Sequence, residues 1–252
     1  MTPYPLTASA NTPSAASATI SIAAAADLRF TMDALVAGFN AQHPEVQVKT
    51  TFGSSGNLTA QISNHAPFDV FMSADAGYPD KLISEKAALA ETRFVYAMGT
   101  LVLWVPIKME VTPESAGLTI LKAGAFHKIA IANPKLAPYG RAAEAALKKE
   151  GVWDAVNDRL VLGENIAQTA QFLTTGAADA GLVSQSLAVA EPLKSTGRTI
   201  AIPAADYPPI EQVAVVVASS PQLGAAKEFC AFIASDAGRT ILASHGLHAP
   251  ER

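Results

Sequence analysis

The stretch "TISIAAAADLRFTMDALVAGFNAQ", residues 19–42, decides the fold. Residues 19–24 read as a short apolar strand. Residues 28–42 then place Leu28, Met32, Leu35, Val36 and Phe39 on one face of a helix. The same switch recurs along the chain. Strands are expected over residues 46–52, 69–73, 101–105, 128–132, 159–163, 180–184, 199–202 and 213–218, with helical patterns between most of them. Such alternation implies an α/β protein with open, mostly parallel sheets flanked by helices.

That is too many strands for one compact sheet. The runs "TLVLWVP" and "QVAVVVA" each follow a less regular stretch and read as interdomain crossings. The expected organisation is a flexible segment over residues 1–18, one lobe from residues 19–98 rejoined by 208–252, and a second lobe from 99–207. A ligand then belongs in the cleft, where carboxyl ends of strands meet helix N-termini.

With 252 residues, 50% of them hydrophobic and 16% charged, the chain can fill a large core. Its net charge of −4 and scattered Lys and Arg argue against nucleic acid as a partner. No apolar run approaches the roughly 18 residues of a membrane span. The five His and single Cys show neither HExxH nor paired CxxC spacing, so no metal held by protein ligands and no cofactor are expected. Cys230, beside Phe229, Phe232 and Ile233, reads as a small buried thiol. Residues 1–18 lack the basic and continuous apolar regions of a secretory signal.

Four strand-to-helix joints share a composition: "AAAADL", "FGSSGNLTAQI", "ANPKLAPYGRAAEAALKK" and "GENIAQTAQFLTTG". Each sets small or hydroxyl residues before a good helix. A helix start exposes unpaired N–H groups and about half a positive charge, which favours an anion. In "GSSG", Gly53 and Gly56 allow tight turns while Ser54 and Ser55 offer hydroxyls, although Ser before a helix is also an ordinary cap. "APYGRAA" adds Tyr139, with Gly140 for close approach, and puts Arg141 on the first turn. Donor-bearing joints with few cations suit a small oxyanion held by neutral dipoles, because a buried countercharge costs several kcal/mol to desolvate. Enzyme signatures are absent: there is no GxSxG elbow, Walker lysine motif or GxGxxG after a strand.

These joints, with "APFDVFMSAD", "LVLGENIAQTAQFLTTGAADAGLV" and "GRTILASHGL", resemble the molybdate-binding proteins that serve bacterial ABC transporters, within the type II periplasmic binding-protein fold. The resemblance implies a two-lobed, hinge-closing periplasmic receptor for molybdate and tungstate, monomeric, that docks on a membrane permease. It implies ligand contacts from Ser54, Ser55 and the amides around Ala26 and Asp27 in lobe one. From lobe two it implies Tyr139 and the amide of Ile166. Ser184 stands where one branch of the family has a tyrosine, so Tyr139 is a candidate for the missing phenol, and Arg141 is a further candidate contact.

Asp27 departs from the family's serine or asparagine, since an ionised carboxylate accepts hydrogen bonds and donates none. Three roles are open to it. It caps its own helix while its amide faces the anion; or it is protonated, favouring a hydrogen-bearing oxyanion such as hydrogen phosphate or arsenate; or it reaches Arg141 or a cation, and the pocket serves another ligand, a small organic anion included. A regulatory effector domain is the remaining alternative. Asp69 and Asp75 are expected to cap backbone and helix.

Overall fold

The computed structural model describes residues 18–109 and 117–250. The segment expected to be flexible lies outside them, except that Ala18 already opens the first strand. Among the described residues, ten strands form two five-stranded sheets. The first contains β1 (Ala18–Ala25), β2 (Val46–Gly53), β3 (Val70–Ser73), β4 (Phe94–Gly99) and β10 (Ile210–Val216), in the order β2-β1-β3-β10-β4. The second contains β5 (Leu101–Pro106), β6 (Ile129–Ala132), β7 (Leu160–Gly163), β8 (Ala180–Ser184) and β9 (Gly197–Ala201), in the order β7-β6-β8-β5-β9.

Both sheets are mixed, where mostly parallel ones were expected. β1 pairs parallel with β2 and β3, but β10 runs antiparallel between β3 and β4. In the second sheet β6 pairs parallel with β7 and β8, and β5 runs antiparallel between β8 and β9. The reason is connectivity. β5 and β10 are the two strands that arrive from the opposite lobe, and each enters its sheet reversed. Between β4 and β5 only Thr100 intervenes. The return passes through residues 202–209, where the Tyr207 hydroxyl accepts a 3.2 Å hydrogen bond from the Leu101 amide and ties the two crossings together.

In the first lobe α1 (Met32–Asn40), α9 (Leu223–Ala234) and α10 (Asp236–Ser244) cover one face of the sheet, and α2 (Ser55–Ser63) with α3 (Gly77–Ser84) the other. Period-2 alternation divides the strands between the two cores. Ile20, Ile22, Val70 and Met72 pack with Phe39 and Phe229, while Ala23 and Phe71 pack with Leu58 and Leu82. A strand buried on both faces has no polar side, which is why β3 is apolar almost throughout. Cys230 is buried on α9, as its neighbours imply, and burial pushes its thiol up to about 12. The second lobe carries α4 (Pro138–Lys149), α5 (Trp153–Val156), α6 (Ile166–Thr174), α7 (Gln185–Ala188) and α8 (Leu193–Thr196). Among the described residues no helix is long and apolar enough to cross a membrane.

Two local expectations need correction. The first helix does not begin at Leu28: Ala26–Leu28 form a 3-10 turn and α1 starts at Met32. The strand β4 was not anticipated, although "FVYAMG" buries Tyr96 and Ala97 in the sheet.

Candidate functional site

Four chain reversals meet between the lobes. β1 runs into the Ala26–Leu28 turn and β2 into α2; from the second lobe, the loop after β6 leads into α4 and β7 into α6. They border a small space, about 190 Å³ with the open solvent at its mouth included, lined by Ala25, Ala26, Asp27, Gly53, Ser54, Ser55, Ala74, Ala137, Pro138, Tyr139 and Ile166. All six principal candidates, from four separate joints, therefore face one cavity.

Each joint exposes its donors for a local reason. Ser54 caps α2, its hydroxyl accepting from the Asn57 amide at 3.3 Å, and the Ser55 hydroxyl accepts from the Ala74 amide at 3.1 Å. Both oxygens are engaged as acceptors, so both O–H protons remain to be given away. At α6 the Asn165 side chain takes the amides of Ala167 and Gln168, both at 3.0 Å, and leaves that of Ile166. At α4 Pro138 has no N–H, which makes Tyr139 the first donor of that helix. Gly140 lets α4 start close to β6: a Cβ there would lie 2.3 Å from the Ala132 carbonyl oxygen. Gly56 serves contact between lobes and not a left-handed turn, because its amide donates to the Leu136 carbonyl at 3.0 Å.

The charged groups sit differently from expectation. Asp27 is almost wholly buried, at 1% exposure. Its Oδ2 accepts from the Gln212 side-chain amide at 2.7 Å and from the Tyr139 hydroxyl at 3.1 Å, and its Oδ1 has no partner. It does not cap its own helix, since the helix begins later and the carboxylate turns inward. Nor does it reach Arg141. That guanidinium holds Asp75 at 2.7 Å and the Tyr78 hydroxyl at 3.0 Å, making a clasp between α4 and the first lobe outside the cavity. Burial pushes the Asp27 carboxyl up to about 6, against the pull of the Tyr139 and Gln212 donors and of its own backbone N–H. Tyr139 and Tyr96 are pushed well above the usual phenol range by burial and by the Asp27 charge.

Ser184 does not line the cavity. It caps α7, accepting from the Leu187 amide, and its own hydroxyl lies 3.0 Å from that of Ser186, to which it donates because the Ser186 proton goes to the Asp27 carbonyl. The Tyr139 phenol is spent on Asp27 and does not stand in for a tyrosine at that position. Asp75 does cap, accepting from the Gly77 amide at 2.8 Å, and Asp69 holds the Ser21 amide at 2.7 Å and the Ser220 hydroxyl at 2.5 Å. Gln212 is the residue that sequence reasoning missed. A lone glutamine in "EQVAVVVA" interrupts an otherwise buried strand and is itself fully buried, and that interruption was its signal. A larger cleft of about 950 Å³ lies alongside, lined by Arg29, Phe30, Glu191 and residues of α6. Its size suits it poorly to surrounding a small anion on all sides.

Among the described residues no Lys or Arg lines the cavity, so what they offer is main-chain N–H groups, two serine hydroxyls and a buried acid. Among the described residues no group of His, Cys, Asp or Glu could hold a metal ion. The family model for bacterial extracellular solute-binding proteins matches residues 20–248. The chain belongs to that family. The molybdate-binding protein ModA of Azotobacter vinelandii is 38% identical over 200 residues, 79% of this chain and 78% of that protein. The ModA of Rhodobacter capsulatus is 37% identical over 199 residues, 79% and 76% of the two chains. Among solved structures, the Azotobacter vinelandii periplasmic molybdate-binding protein superposes with a TM-score of 0.86 at 32% identity, covering 92% of this chain and all of that one. The sulfate-binding protein SubI of Mycobacterium tuberculosis matches with a TM-score of 0.77 at 17% identity, over 93% and 88% of the chains, and shares the fold alone.

Proposed function

We propose that this protein captures molybdate, and tungstate with it, and hands it to the membrane permease of an ABC importer. One observation carries the reading: helix starts from both lobes turn unpaired N–H groups and serine hydroxyls into one small cavity that no cation lines. A tetrahedral oxyanion needs donors on several sides. Fixed neutral dipoles provide them without the desolvation cost of a buried countercharge. The named relatives are binding proteins for the same anion. The contacts assigned to it are the amides at Ala26, Asp27, Ser55, Tyr139 and Ile166 and the hydroxyls of Ser54 and Ser55.

The working cycle is hinge closure. The lobes divide at the crossings near Gly99 and Tyr207, the anion bridges them, and the closed monomer presents both lobes to the permease in the periplasm. No catalytic step is assigned to any residue. Calorimetric titration with molybdate, tungstate, sulfate and hydrogen phosphate at pH 7 tests the reading. Tight binding of the first two and none of the others is expected. Absence of molybdate binding, or preference for hydrogen phosphate, overturns it.

A further inference from the structure

Of the two carboxylate oxygens of Asp27, Oδ2 takes two side-chain donors and Oδ1 has no hydrogen-bond partner, with the residue's own backbone N–H close by. The Tyr96 hydroxyl donates to Gln212 Oε1 at 2.9 Å, which turns the Gln212 amide N–H toward Asp27 Oδ2. The Tyr139 hydroxyl donates to the same Oδ2. With two donors there, a proton on this carboxyl has its place on Oδ1, which is buried and unpartnered in a residue that lines the cavity. A bare carboxylate oxygen there would repel a dianion about 4 Å away by several kcal/mol per unit charge at an effective dielectric near 20. A protonated one would donate to it.

From these contacts, and resting on the oxyanion reading above, we infer that Asp27 is a specificity-determining donor. On binding, its Oδ1 takes a proton from solvent and gives a hydrogen bond to the anion, so that uptake of one molybdate is coupled to uptake of one proton. The Gln212–Tyr96 relay fixes which oxygen carries that proton. The titratable groups facing Asp27 are Tyr139 of α4 and Tyr96 of β4, with Tyr207 beyond Tyr139; all three are phenols. From α7 only a hydroxyl reaches it, Ser186 donating to its main-chain carbonyl at 2.8 Å. No cation competes: Arg29, two residues along, is exposed, and Arg141 is held by Asp75 and Tyr78. Burial already pushes the carboxyl up to about 6 in the empty cavity, and a bound dianion pushes in the same direction.

The test is calorimetry of the wild-type protein with sodium molybdate at pH 7.5, in buffers of different ionisation enthalpy, repeated from pH 5.5 to 8.5. The observed heat should change linearly with buffer ionisation enthalpy, with a slope approaching one proton taken up. Affinity should fall by close to about tenfold per pH unit above pH 6. Asp27→Asn, which keeps a neutral donor, should bind with zero slope and a flat pH profile. Molybdate binding to wild type with zero slope and flat affinity overturns the inference and leaves the molybdate reading intact. So does an Asp27→Asn variant with the wild-type slope. No molybdate heat at any pH overturns both.

Discussion

At the scale of single residues, Asp27 contributes a pH dependence to the empty protein. Its folded pKa is raised to about 6 from an ordinary 3.8. The stability it contributes is therefore fully present below about pH 4 and is lost as pH rises through about 6. A difference of that size corresponds to about 3 kcal/mol once the group is ionised. Asp27→Asn should accordingly raise the melting temperature of ligand-free protein at pH 8 and change it little at pH 4; an equal shift at both would show that charge burial is not the cause. Ser55 gives the complementary case. Its hydroxyl is buried and accepts from the Ala74 amide, which leaves its proton free for the proposed anion. A hydrogen bond to a charged group is worth about 1.5–3 kcal/mol, so Ser55→Ala should weaken molybdate by roughly 10–100-fold in calorimetry. A loss below threefold would remove the side chain from the contact set.

Among the elements, the joints matter more than the bodies of the helices. Gly140 is where α4 touches β6, and a methyl group there meets the Ala132 carbonyl at 2.3 Å. Gly140→Ala should cost about 1–3 kcal/mol by overpacking, read as a lowered melting temperature, and should displace the Tyr139 amide so that affinity falls as well. The Arg141 clasp is weaker, because both partners are about a third exposed. Arg141→Ala should reduce molybdate affinity by less than about fivefold, since a solvent-screened pair is worth about 1 kcal/mol or less. A loss as large as that of Ser55→Ala would place Arg141 in the cavity after all. Element patterns were legible because the 2.0 and 3.6 periods are local. Of the two misread elements, one is where tertiary contacts act on the local pattern and the other where that pattern is itself weak. The Ala26–Leu28 turn is held short while Ser186 and Tyr139, from the other lobe, grip Asp27. Half-exposed Phe94, Val95 and Met98 weaken the alternation of β4, which lies at the edge of its sheet.

For the whole molecule, the lobes are packed together in this structure. Ala25, Ala26 and Ala74 of the first lobe belong to the same apolar cluster as the second lobe's core. Direct bonds also span the gap, from the Gly56 amide to the Leu136 carbonyl and from Asn57 to Glu164 at 2.8 Å. Solution scattering should find a larger radius of gyration without anion than with saturating molybdate. Equal radii would mean that the closed arrangement does not depend on ligand. The amino-acid sequence by itself determined the α/β class, the two lobes and the four donor-bearing joints, because each rests on patterns within a few neighbouring residues. Only the tertiary structure decided what those joints do to one another. Tyr139 and Gln212 reach Asp27 from 112 and 185 residues away, and Asp75 meets Arg141 across 66. Side-chain partners so distant in the chain are set by how the lobes close, and no local period encodes that.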